Sequence, residues 1–308
     1  MKKKIGLSLG SGGSRGLSEI GVLLWLKENN VKISYVSGSS MGSIIGAYYC
    51  AGFTPEHLKN IALDIKWTDI LKYLRVSFST RSIFDWGRIS KFLNEELGHK
   101  RIEDLNIPFA CVAADINSGR EFVFRRGKVV TAVSASSSIP GVFPPVEILG
   151  RRFVDGELVN PVPIDIAFEL GADLVIGVNT CRSLQGENMS EETQKSSFVK
   201  RMDDWFGEMI EKAPRPLAEL YNKIPHPDLN RLDPGGMKFY DVITDSLAIV
   251  SSRILDFKRQ LAGPHFMINP PVGRYKNFDF DRAEEIIDLG YRTAKEAGPE
   301  LLKFIEVK

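Results

Sequence analysis

Apolar positions along the chain come in two rhythms, short strand-length runs and helical stripes, and the two alternate. Ile5 to Leu9 reads as a short buried strand that passes through Gly10-Ser11-Gly12-Gly13-Ser14-Arg15-Gly16 into a helix. Leu17, Ile20, Gly21, Leu24 and Trp25 give that helix a stripe at the 3.6-residue spacing. A second apolar strand begins at Ile33, reaches Gly38-Ser39-Ser40-Met41-Gly42, and continues as a small-residue helix ending near Ala51-Gly52. Two strand-turn-helix units in succession predict an α/β fold with a mainly parallel, helix-covered central sheet.

Residues 55 to 98 read as mainly helical, with amphipathic pieces around Leu58–Ile65 and Ile89–Leu97 and an irregular, aromatic-rich interval at Trp67–Trp86, read as core ahead of a surface beside the active site. Pro108 to Asp115 is a buried strand, Asn117-Ser118-Gly119 a turn, and Glu121–Phe124 the returning strand of a hairpin. Val129 to Ser137 predicts a short helix, stopped by Ile139-Pro140-Gly141. A second hairpin turns at Leu149-Gly150-Arg151 and returns as Arg152-Phe153-Val154-Asp155-Gly156. Pro163 to Gly171 is a helix, and Leu174–Val178 an apolar strand.

From Arg182 to Lys238 the pattern changes to polar, Met-containing sequence punctuated by five prolines and a Gly235-Gly236 break. This predicts a cap or flap inside one domain of residues 1–308, the variable part running over 182–261 and including a long helix. That helix, Tyr240 to Leu261, carries Ile243, Leu247, Val250, Ile254, Phe257 and Leu261 on one face. A last strand at Phe266–Ile268 and a helix from Asp281 to Ala297 close the chain.

Composition narrows the function classes. Lys+Arg is 40 against Asp+Glu 39 in 308 residues, and a net charge of +1 carries no nucleic-acid signature. Cys50, Cys111 and Cys181 stand far apart, with neither metal-ligand spacing nor a disulfide framework, which fits a cytoplasmic setting without metal or other cofactor. The apolar run after Met1-Lys2-Lys3-Lys4 is too short for a signal peptide, and no stretch has the length of a membrane span. The expectation is a soluble protein with at most peripheral membrane contact, free to form homo-oligomers.

Candidate chemistry centres on Gly38-x-Ser40-x-Gly42 between a strand and a helix, the nucleophile-elbow pattern. Ser40 would stand at the N-terminus of the following helix, where unpaired N–H groups favour developing negative charge. An elbow serine needs a base and an oxyanion hole. Of the four histidines, His57 and His99 read as solvated and His226 lies in Pro225-His226-Pro227. His265, before the last strand, is the best-placed histidine, although a nucleophile on only the second strand argues against the α/β-hydrolase order. Asp155 is the other candidate base, at the end of a strand where a carboxylate points into the ligand crevice of a doubly wound sheet. For the oxyanion hole, Gly10 to Gly16 lets several backbone N–H groups converge. A dinucleotide reading of that loop fails on spacing, because Gly12 and Gly16 are one residue too far apart and no acidic residue ends the second strand.

In combination these residues resemble the bacterial branch of the patatin-like phospholipases. Ser11-Gly12-Gly13-Ser14-Arg15-Gly16 is similar to that family's glycine-rich oxyanion motif, Gly38 to Gly42 to its elbow, and Asp155-Gly156-Glu157 to its aspartate motif. Ala135 to Pro145 and Val159 to Pro163 are similar as well. The resemblance implies a three-layer α/β/α fold and a Ser40–Asp155 dyad without histidine. It also implies an oxyanion hole from the Gly12 and Gly13 N–H groups, with Arg15 and Ser11 supporting the loop. The implied activity is hydrolysis of lipid acyl esters, as a phospholipase A, lysophospholipase or carboxylesterase. Two positions depart from the family pattern. Ser11 replaces a glycine, and Glu157 puts a second carboxylate where it can raise the pKa of Asp155 or narrow the pocket. Two rival readings are an acyltransferase using the same dyad and a non-catalytic lipid-binding protein. The acyl-carrier transacylases, however, have histidine where this chain has Ser39.

Overall fold

The computed structural model describes residues 3–64, 87–181 and 239–307. The chain divides into a larger unit, Met1–Ser183 with Val250–Lys308, and a smaller one, Leu184–Ile249. Of the smaller unit only residues 239–249 are described, as the first turns of a helix. The expected cap at 182–238 and the aromatic interval 67–86 lie outside the described residues.

In the larger unit, eight described strands form one sheet: β1 (Ile5–Leu9), β2 (Ile33–Ser39), β3 (Phe109–Asp115), β4 (Arg120–Phe124), β5 (Val146–Ile148), β6 (Arg151–Asp155), β7 (Leu174–Val178) and β8 (His265–Ile268). The order is β5-β6-β3-β2-β1-β7-β8, with β4 on the other edge of β3. The run β3-β2-β1-β7-β8 is parallel, whereas β4, β5 and β6 pair antiparallel. The described helices are α1 (Ser18–Glu28), α2 (Met41–Cys50), α3 (Pro55–Asp64), α4 (Gly87–Leu97), α5 (Val129–Ser136), α6 (Ile164–Glu169), α7 (Phe239–Leu261) and α8 (Ala283–Val307).

Helices cover both faces of the sheet, so the central strands are buried throughout. Ile5, Leu7 and Leu9 of β1 join the core built with α1, α2 and α8. On the opposite face Val175 packs with Ile164 and Ala167 of α6 and Leu255 of α7. These are the three layers the resemblance implied. Helix α1 is buried almost all round, with Val22, Leu23 and Leu26 as buried as Ile20 and Trp25, because it lies among the sheet, α3 and α8.

On α7 the apolar stripe read from the sequence points largely outward, with Val250, Phe257 and Leu261 at 48%, 62% and 70% exposure. The helix instead seats Ser251 and Leu255, and Lys258 bonds to Glu121 and Asp165, so a buried hydroxyl and an ion-pair cluster set its rotation. Helix α8 does not stop before Pro299 but runs to Val307, since Leu301 is fully buried and Phe304 packs on Phe266 beyond the proline. The lost N–H costs less there than the packing returns.

The feature that positions the site is the edge of β3. Phe109–Val112 pair with parallel β2, while Ala113–Asp115, further along the same edge, pair with antiparallel β6. Strands β2 and β6 therefore meet head-on: Val112 is opposite Ser39, and the next residue, Ala113, is opposite Asp155. The residue that turns away from this junction is Gly156. A Cβ there would lie 2.3 Å from the Val112 carbonyl oxygen and 2.8 Å from Ser39 Oγ, closer than any side chain permits.

Candidate active site

The head-on junction brings Ser40 and Asp155 together across 115 positions of sequence. Ser40 Oγ donates to Asp155 Oδ2 at 2.7 Å, and both residues are almost fully buried. Ser40 sits at φ 51°, ψ −122°, a conformation that non-glycine residues avoid at a cost of roughly 1–3 kcal/mol. Its strained backbone is held by hydrogen bonds: the Ser40 N–H donates to Ser136 Oγ at 3.0 Å, and its carbonyl accepts from the Ser43 hydroxyl at 2.6 Å. Asp155 is gripped from both ends, its N–H donating to the Ser138 carbonyl at 3.0 Å and its Oδ1 accepting from the Glu157 N–H at 2.8 Å.

The glycine loop lies beside the elbow because β1 and β2 are parallel neighbours with Leu9 opposite Gly38. The Gly42 N–H donates to the Gly10 carbonyl at 3.1 Å and ties the two turns together. Around the loop the Ser11 N–H is spent on the Pro161 carbonyl and the Ser14 N–H on Asn277, while the Arg15 N–H closes on Gly12. Among the described residues the N–H groups of Gly12 and Gly13 have no acceptor. Gly13 requires its glycine: φ is 58°, and a Cβ would lie 2.4 Å from the Asn277 carbonyl oxygen. Arg15 is buried and acts as a brace, donating from Nε to Thr180 O (3.2 Å) and from Nη1 to Tyr275 O (3.1 Å). The loop is thus pinned nearly everywhere except at two adjacent N–H groups.

Charge around Asp155 is unusual. Burial, then the Glu157 carboxylate, push its pKa well above the ordinary carboxylate range, against the hydrogen bonds from the Glu157 N–H and Ser40. Burial raises Glu157 too, with the Arg15 guanidinium pulling the other way. The departure from the family motif at 157 therefore acts on the carboxyl that touches Ser40.

A cavity of about 220 Å³ opens at Ser40 and Gly13 and continues between α2, α3 and α4. Its wall is almost entirely apolar, including Leu17, Met41, Ile45, Leu58, Phe92 and Phe143. Met41, Ile44, Ile45 and Tyr48 line it along α2, so it extends about 12 Å from the serine at roughly 1.5 Å per helical residue.

None of the described histidines joins this group. His265 opens β8 opposite Val175, whereas the elbow lies at the other end of the parallel strands, and its Nδ1 is 2.8 Å from the Gly263 carbonyl. His57 stacks near Phe53 on α3, His99 is exposed, and His226 lies outside the described residues. Two buried polar residues had no assigned role in the sequence, Ser136 at the site and Glu19 on α1. The first sat unremarked in the Ala135–Pro145 stretch. Glu19 of α1 is fully buried, and burial raises its pKa well above normal against a backbone interaction with Gly10 that pulls it down. Its only sequence signal is an acid inside an apolar helix.

Comparison with known proteins identifies the family. The family model for patatin-like phospholipases matches residues 7–168, which include Gly12, Gly13, Ser40 and Asp155. The chain is 28% identical over 298 residues to human patatin-like phospholipase domain-containing protein 6, covering 94% of this chain and 20% of that protein. It is 33% identical over 207 residues to an uncharacterized NTE family protein of Mycobacterium tuberculosis, covering 67% of this chain and 56% of that one. Lysophospholipase NTE1 of Phaeosphaeria nodorum is 28% identical over 308 residues, with 95% of this chain and 18% of that protein covered. The chain thus spans about a fifth of the human and Phaeosphaeria relatives. Among solved structures, VipD of Legionella pneumophila aligns with a TM-score of 0.44 at 12% identity, over all of this chain and 67% of VipD.

Proposed function

The chain belongs to the patatin-like phospholipase family, and from that premise we propose that it is a serine hydrolase of lipid acyl esters working through a Ser40–Asp155 dyad. The observation that carries this reading is the 2.7 Å hydrogen bond from Ser40 Oγ to Asp155 Oδ2 at the mouth of an apolar cavity. In the proposed reaction the acyl chain lies in the cavity with its ester carbonyl over Ser40. Ser40 Oγ attacks the carbonyl carbon while its proton passes to Asp155. The negative oxygen is stabilised by the Gly12 and Gly13 N–H groups. Collapse of the tetrahedral intermediate breaks the bond to the leaving alcohol, which takes the proton from Asp155 and departs. Water, deprotonated by Asp155, then attacks the acyl-Ser40 carbonyl, and the fatty acid leaves as Ser40 is regenerated.

A lone carboxylate near its ordinary pKa of about 4 is a weak base for a hydroxyl. The burial of Asp155 and the neighbouring Glu157 move it toward the pH at which it has to work. Names of relatives that contain lysophospholipase or phospholipase support the lipid class of substrate. The test is hydrolysis of p-nitrophenyl acyl esters together with labelling by a fluorophosphonate. Ser40→Ala is expected to abolish both, Asp155→Asn to lower hydrolysis by about 10³-fold or more, and His265→Ala to leave it intact. Full activity in Asp155→Asn, or its loss in His265→Ala, would remove the dyad.

A further inference from the structure

The β5–β6 hairpin turns through two residues, Leu149 and Gly150, between the paired Ile148 and Arg151. Both turn residues have positive φ, 51° and 76°, the geometry for which Asn-Gly or Asp-Gly is the favourable pair. Leucine is costly there, and its side chain is 98% exposed, so it returns nothing to the fold. The neighbouring β3–β4 turn presents a second apolar residue, Ile116, at 52% exposure.

The two tips are fastened together. The Ile116 N–H donates to the Arg152 carbonyl at 3.0 Å, and Arg151 pairs with Asp115 at 2.7 Å while its guanidinium covers the Phe122 and Phe153 rings. Arg152 Nε reaches Asn117 Oδ1 at 3.4 Å. With Asp115 engaged by Arg151, the exposed charges beside the tips are Arg120 and Arg152, which have no carboxylate partner among the described residues, and Glu147, across from Arg152 in register. The tips lie at the end of the sheet that carries Ser40. From Arg151 to Asp155 is four steps of strand, about 13 Å at roughly 3.3 Å per residue.

We propose that the paired tips Ile116 and Leu149, with Arg120 and Arg152, form the surface by which this protein docks on an anionic lipid bilayer. Two apolar side chains on a rigid support, flanked by arginines and held near a cavity mouth, are what interfacial attachment requires. The choice of lipid as partner rests on the acyl-hydrolase reading. Docking of this kind would bring the cavity mouth to the surface from which an acyl chain is drawn.

The test uses the full chain carrying Ser40→Ala, so that the probe is not consumed, and sedimentation with vesicles of phosphatidylcholine alone or of equimolar phosphatidylcholine and phosphatidylglycerol. Binding to the anionic vesicles is expected to be about tenfold tighter and to weaken with salt. Adding Leu149→Asn is expected to lower that binding about tenfold, yet to hold or raise the melting temperature, because asparagine suits the turn. Without Ser40→Ala, Leu149→Asn is expected to leave hydrolysis of a soluble short-chain ester unchanged. Equal binding to both vesicles, or unchanged binding in Leu149→Asn, would overturn the proposal. Absence of fluorophosphonate labelling in the wild type would sink the hydrolase reading instead, while the vesicle result still stands or falls by itself.

Discussion

Glu157 is where a single side chain should be felt most clearly in the chemistry. Its carboxylate adds to burial in raising Asp155, and if Asp155 is the base, as proposed, it is deprotonated only as pH climbs through its pKa. Activity is therefore expected to rise with pH across the neutral range. Glu157→Gln removes one of the two raising causes, so the acidic limb of the kcat/KM profile should move to lower pH, while the Glu157 N–H that holds Asp155 remains. An unmoved limb would show that Glu157 does not act on the base. Glu19 gives the corresponding test on stability. Its folded pKa lies well above the unfolded value of about 4.3, so the folded state holds the proton more tightly. The stability this contributes is full below the unfolded pKa and is lost as pH rises through the folded one. In Glu19→Gln the fall of melting temperature with rising pH is expected to be shallower than in the wild type. Gly-x-Ser-x-Gly and Asp-Gly are legible because their chemistry is local. Glu19 and Ser136 are not, because their roles depend on what the fold sets around them.

Among the elements, α5 does more than cover the sheet. Its C-terminal end holds Ser40 through the Ser136 hydroxyl and Asp155 through the Ser138 carbonyl, so it fixes the distance between the two strands that meet head-on. Ser136→Ala leaves a buried N–H unpaired at a strained residue and is expected to cost about 1–3 kcal/mol. Its kcat should fall more than its KM changes. Ser134→Ala is the control on the same helix, since Ser134 Oγ has no hydrogen-bond partner among the described residues. Equal kinetics in the two variants would remove the positioning role of Ser136. Most strands and helix starts could be read from periodicity and glycine punctuation. The facing of α7 could not, because Ser251 and Lys258 seat it through polar contacts that a hydrophobic stripe does not register.

At the scale of the whole molecule, the parallel part of the sheet followed from repeated strand-turn-helix units, but the insertion of β6 in line with β2 did not. A hairpin read from sequence carries no information about which edge it joins. That placement is what converts two distant motifs into one site, and it leaves the wall of the cavity to helices α2, α3 and α4. If this cavity receives the acyl chain, its volume of about 220 Å³ sets chain-length preference independently of the dyad. Ala62 on α3 is a buried wall residue, distant in sequence from Ser40 and Gly13. Ala62→Leu fills part of the space without touching either. Its expected effect is a drop of about tenfold in kcat/KM for p-nitrophenyl decanoate relative to the butyrate, with fluorophosphonate labelling of Ser40 unchanged. A parallel loss on both esters would mean that the substitution disturbs the fold, and an unchanged ratio that the chain lies elsewhere.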